Sequence, residues 1–166
     1  MVKVLKFPHP ILQKPTSVVE DISKEIKDLT EIMWQVMKEK EGVGLAANQI
    51  GVDKRVMVID TSPREDSPPV KLVLINPNLI YGEGSITFKE GCLSFPGLSL
   101  QVERFSKVYI KGFDLSGKEL ELTLEGFPAI VFQHELDHLL GKTFLDRVSP
   151  IRRRMALERY RKLEKT

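Results

Sequence analysis

The stretch "GLSLQVERFSKVYIKGFDLSGKELELTLEG" at residues 97–126, running into "FPAIVFQHELDHLL" at 127–140, decides the fold class. Its first part alternates apolar and polar side chains, the period of strands that bury one face. "LSGK" at 115–118 is placed to turn a hairpin between two of them. From Phe127 to Leu140 the spacing becomes helical. Further out, "KRVMVID" at 54–60 and "KLVLINP" at 71–77 read as short strands rich in β-branched residues, separated by a Pro/Ser-rich loop at 62–69. Upstream, Ile22, Ile26, Leu29, Met33, Val36 and Met37 form a 3.6-residue stripe that predicts a helix ending before Gly42. Downstream, Ser149 and Pro150 make an N-cap and N1 pair that opens a last helix. Strands in succession, with helices before and after them, favour α+β over alternating βαβ units. The expectation is mostly antiparallel sheet packed around the helix that carries "QHELDH", with a C-terminal helix.

At 166 residues the chain suits one domain, residues 1–166. It is 42% hydrophobic and 29% charged, which excludes a disordered or fibrous class. No apolar run approaches the roughly 18 residues of a membrane span. "MVKVLKFPHPILQK" lacks a signal peptide's apolar core. The single cysteine, Cys92, excludes an internal disulfide and fits a reducing compartment. A soluble, cytoplasmic protein is expected. Charge is unevenly spread: residues 149–166 hold seven Lys/Arg against two Glu, a net +5, leaving the other 148 residues at −3.

"QHELDH" at 133–138 carries the chemistry. On a helix, His134 and His138 stand one turn apart on one face, able to point at one ion. Glu135, about 100° around, reaches a water on that ion without having to be a ligand. Two residues compete for the third protein ligand. Glu158 follows His138 by 20 residues, a spacing used by thermolysin-like peptidases, yet Arg154, Arg161 and Lys162 at helical spacings explain it as a surface ion-pair residue. Cys92 in "EGCLS" is the other. The metzincin pattern fails, because Phe144 stands where its third histidine belongs.

Three stretches together resemble the peptide deformylase family: "GVGLAANQ" at 42–49, "EGCLS" at 90–94 and "QHELDHLLG" at 133–141. The likeness runs from "FPHPILQKP" at 7–15 to the helix after "DRVSP" at 146–150. It implies that Cys92, His134 and His138 bind one divalent metal with an open fourth position, and that Glu158 is a surface carboxylate. A thiolate with two imidazoles suits Zn²⁺ or Fe²⁺; the resemblance implies Fe²⁺, with Zn²⁺ or Ni²⁺ able to substitute. It further implies hydrolysis of the formyl group of N-formylmethionyl nascent peptides, with release of formate. Glu135 would be general base and then acid, and the Gln49 side chain and Leu93 backbone N–H would stabilise the oxyanion. Gly44 would let the backbone pass close to the substrate, and Val43, Phe88 and Ile130 are nominated for an apolar methionine pocket. Ser99 stands where many members carry a substrate-holding arginine, and Arg104 is expected to balance Glu90. The basic segment 149–166 is expected to contact the ribosome near the nascent-chain exit; neither DNA nor membrane is expected as a partner. Two rivals are a thermolysin-like endopeptidase using His134, His138 and Glu158, and a ribosome- or RNA-binding module held by a structural metal.

Overall fold

The alternation in residues 97–126 becomes three strands, β5 (Ser99–Arg104), β6 (Lys107–Phe113) and β7 (Glu119–Glu125). The β6–β7 hairpin turns at 114–118, where Asp114 Oδ1 accepts from the Ser116 and Lys118 amides at 2.9 and 3.0 Å. Gly117 supplies the left-handed residue of that turn at φ 84°. The structure, a computed structural model, describes residues 2–64 and 68–165. Residues 65–67, in the middle of the expected Pro/Ser-rich loop, lie outside the described residues.

Before these strands come α1 (Lys24–Glu39), β1 (Gly44–Ala46), β2 (Val56–Asp60), β3 (Lys71–Glu83) and β4 (Ile86–Gly91). After them come α2 (Phe127–Leu139) and α3 (Pro150–Glu164). One sheet has the order β1-β2-β3-β6-β7, and β4 pairs with β5 in a second. Every pairing is antiparallel, so the fold is α+β as expected.

Two strands differ from expectation. The strand read as ending at Pro77 continues to Glu83. Proline donates no ladder hydrogen bond, and the strand absorbs it at a register shift between Ile75 and Asn78, where Asn76 adopts φ 52°. The Asn76 side chain replaces the lost ladder by bonding both Val19 N and Val19 O. Strand β4, "ITFKEG", is not singled out by alternation, because only Glu90 within it is buried.

The five-stranded sheet is buried between two helices. Met57 and Ile59 of β2 join the core of α2, whereas Val56 and Val58 join that of α1. This two-sided burial explains the unbroken apolar run of β2. Every residue of α2 from Pro128 to Leu139 is buried, so this helix passes through the interior. A third cluster, including Phe95, Phe144, Leu145, Ala156 and Tyr160, seats α3 against the loop after β4. Among the described residues no helix is long and apolar enough to cross a membrane.

Candidate active site

Helix α2 sets the first two functional side chains. His134 and His138 have ring centroids 5.0 Å apart. Cys92, in the loop leaving β4, lies with its Sγ 3.3 Å from His138 Nε2. One donor atom from each of Cys92, His134 and His138 lies within 4.8 Å of the others. The soft–borderline donor set and its convergence fit a divalent transition-metal ion. Glu158 does not join this group; it sits on α3 with its side chain 59% exposed, 3.7 Å from Arg154. The rival using Glu158 as third ligand is therefore corrected: this carboxylate is an exposed i,i+4 partner of an arginine.

The outer shell of the site is ionic and buried. Glu90 Oε1 lies 2.8 Å from His134 Nδ1, which leaves Nε2 of that ring to face a metal. Arg104 grips Glu90 with two bonds of 2.7 and 2.9 Å and donates a third, of 2.8 Å, to Asp137. Asp137 also accepts two bonds from Arg147. Arg104 thus does more than balance Glu90: it joins β4, β5 and α2. Burial works against a charge on Glu90, but the bonds from Arg104 and His134 outweigh it and hold the carboxyl below its ordinary value.

The two imidazoles are pushed apart. Burial opposes charge on His134, yet the facing Cys92 and the Glu90 bond hold it well above its usual value. Burial, with His134 and Arg104 nearby, holds His138 well below. Ligation needs both rings neutral, so cation binding is coupled to the loss of any proton on His134.

Glu135 has one carboxylate oxygen, Oε1, buried with no hydrogen-bond partner. Burial pushes its carboxyl up to about 7, His134 opposes this, and Glu90 adds to it. A buried base near neutrality suits proton transfer. Gly44 explains how the carboxylate fits: a Cβ there would lie 2.7 Å from Glu135 Oε2 and 2.8 Å from Val131 Cγ1. The close approach of this glycine is therefore to the carboxylate as well as to the cavity it lines.

Gln49 is held at both ends of its amide. Its Oε1 accepts from Ala46 N at 2.9 Å, and its Nε2 donates to Ser94 Oγ at 3.1 Å while lying 3.8 Å from Cys92 Sγ. Ser94 is fully buried.

Gln49, Cys92, Leu93, His134 and Glu135 all border one cavity of about 920 Å³. The nominated Val43, Gly44, Phe88 and Ile130 border it too, together with Phe127 and Val131, which sequence reasoning missed. A helical count backwards from His134 reaches Val131, Ile130 and Phe127 at three, four and seven residues, one continuous face. Ser99 is exposed on β5 opposite Gly91 and does not line the cavity.

A convergent Cys/His/His donor set, a buried carboxylate beside it and a cavity reaching both define a metal-dependent hydrolase built on an α+β scaffold. The model of the polypeptide deformylase family matches residues 1–154. The peptide deformylase of Aquifex aeolicus strain VF5 is 63% identical over 163 residues, covering 98% of this chain and 96% of that protein. The crystal structure of a peptide deformylase from Legionella pneumophila superposes with a TM-score of 0.89 at 39% identity, covering 99% of this chain and 96% of the other. That from Thermus thermophilus gives 0.89 at 39% identity, covering 97% and 93%. The chain belongs to the polypeptide deformylase family.

Proposed function

We propose that this protein removes the N-formyl group from the N-terminal methionine of nascent polypeptides, consuming water and releasing formate and a free amine. The observation that carries this beyond family membership is the unpartnered buried oxygen of Glu135 beside the Cys92, His134 and His138 donors, at the side of an open cavity. When bound there, a divalent cation supplies acidification of water and polarisation of the formyl carbonyl. Cys92, His134 and His138 are assigned as its ligands, and Fe²⁺ is the expected ion, with Zn²⁺ or Ni²⁺ able to replace it. The thiolate and two imidazoles support that choice.

Glu135 takes a proton from the attacking water and later returns it to the leaving amine. Gln49 Nε2, whose N–H beyond the one given to Ser94 has only the long 3.8 Å contact with Cys92 Sγ to give up, and the Leu93 amide donate to the oxyanion that develops on the formyl oxygen. Val43, Phe88 and Ile130, with Phe127, receive the methionine side chain. Strands β1 and β4 both lie at sheet edges and both border the cavity, so an extended substrate backbone has free edges to pair with, without an arginine at Ser99. We assign residues 1–166 to one catalytic unit, whose basic α3 contacts ribosomal RNA in the cytoplasm; its net positive charge supports this.

The test is formate release from a formyl-Met peptide by anaerobically prepared protein. Efficient release is expected, with almost none of the acetyl group lost from acetyl-Met peptides, because the added methyl crowds the Gln49 and Leu93 donors. Cleavage of unformylated internal peptide bonds at a comparable rate would replace this function with an endopeptidase.

A further inference from the structure

Two aromatic rings meet in the wall of the cavity. Phe88 belongs to β4 of the small sheet, and Phe127 opens α2; their centroids are 5.4 Å apart. A third element, the loop leaving β2, lays the guanidinium of Arg64 over both, 4.9 Å from the Phe88 centroid and 4.5 Å from that of Phe127. Arg64 itself does not line the cavity, so it acts on the rings and not on their contents.

The stem of that loop is pinned. Thr61, fully buried, donates its amide to Val70 O and accepts the Val70 amide on its hydroxyl, each at 2.9 Å. The Arg64 amide then closes a turn onto Thr61 O at 3.0 Å. Arg64 is half-buried, which strengthens a cation–π contact relative to one in open water. An arginine suits this place because its flat, weakly hydrated guanidinium covers two rings at once, which an ammonium does not.

We propose that Arg64 is a specificity-determining residue of the pocket for the substrate's first side chain: by clamping Phe88 to Phe127 it holds the aromatic wall where an unbranched side chain of methionine length reaches it. This rests on the deformylase function. The clamp joins three elements that meet at this point: the five-stranded sheet, the small sheet and α2. Two fixed rings also offer their edges to a thioether, a favourable partner for sulfur. Releasing the clamp lets the Phe88 wall drift, which weakens binding of a side chain that fills the pocket. A side chain too short to touch the rings is unaffected.

The experiment compares metal-loaded protein with Arg64→Ala, Arg64→Gln and Arg64→Lys on formyl-Met, formyl-norleucine and formyl-Ala tripeptides. For Arg64→Ala and Arg64→Gln, KM for formyl-Met and formyl-norleucine should rise about three- to tenfold with kcat and metal content unchanged. kcat/KM for formyl-Ala should stay put, so the Met-to-Ala preference shrinks; Arg64→Lys should recover part of it. An unchanged Met-to-Ala ratio in Arg64→Ala, or a fall in kcat with that ratio intact, overturns the proposal. Absence of formate release from every formyl peptide by the unaltered protein is a different failure, that of the deformylase function. The clamp is still judged in that case by ¹⁹F NMR of 4-fluorophenylalanine-labelled protein: identical Phe88 and Phe127 signals with and without Arg64 overturn it.

Discussion

Helices α2 and α3 both begin with proline in the first turn and are similar in length, yet they stand at opposite ends of the burial scale. Every residue of α2 from Pro128 to Leu139 is buried, whereas α3 buries Ala156 and Tyr160 alone. The four ionisable groups of α2, His134, Glu135, Asp137 and His138, are therefore each in surroundings that shift or pair them. Asp137 takes two arginines, His134 takes Glu90, and Glu135 has an orphan oxygen. On α3 the charged side chains are mostly exposed: Arg152 donates to Gln101 O at 2.6 Å, Arg153 pairs with Asp146 at 2.7 Å, and Arg154 with Glu158 form a loose 3.7 Å pair. A glutamate carries chemistry on one helix, as Glu135, and only surface charge on the other, as Glu158. What separates them is whether water is there to screen them.

That contrast can be broken most severely at the donor set. Cys92→Ser should lose stoichiometric metal and with it essentially all turnover; metal analysis showing full occupancy would sink the ligand assignment and reopen the question of a third ligand. Next comes Glu135→Gln, which should keep the metal while turnover falls roughly 10²–10⁴-fold, the usual worth of an acid–base group. A loss below about tenfold points to another base. Asp137→Ala removes the carboxylate between Arg104 and Arg147. Breaking a buried pair costs about 3–5 kcal/mol, and the lower end is expected because Arg147 is 41% exposed and can turn to solvent. Denaturant unfolding measures it.

A smaller effect distinguishes the charge state of Glu135. Its value of about 7 in the fold lies above the ordinary 4.5 of the unfolded chain, so the metal-free fold holds this proton more tightly. The associated stability is complete below about pH 4.5 and is lost as pH rises through about 7. Metal-free Glu135→Gln should therefore outlast the parent at about pH 8, by on the order of 2–3 kcal/mol, with the gap closing towards pH 5. A gap independent of pH means that the carboxyl is not perturbed. The least change is expected on α3: Arg154→Ala should move unfolding by under about 0.5 kcal/mol, and a shift several times larger would show that α3 is not merely solvated.

Much of this site was legible because its motifs are local. Two histidines one turn apart, the lone cysteine of "EGCLS" and the glycines before Gln49 can be read in windows of eight residues or fewer. The α+β class was legible from the change of period at Phe127. What escaped depends on contacts between distant segments. Nothing near Ser94 in sequence announces that it orients Gln49, 45 residues away. Nothing in "QHELDH" announces that Asp137 is the junction of two arginines, one of them 33 residues upstream. Strand β4 escaped because the one buried residue on its inner face is the charged Glu90, and the second half of β3 because a proline interrupts it.

Tyr160 of α3 donates to the carbonyl of Phe7 at 3.0 Å across 153 residues of chain, and both rings pack on Phe95, three residues after Cys92. The loop that carries the cysteine donor is thus clasped by segments from near both ends of the sequence. Contacts so far apart carry a loop-closure cost that neighbouring ones do not, so the seat of this loop depends on both segments being in place. A chain that lacks α3 lacks that clasp on the cysteine loop.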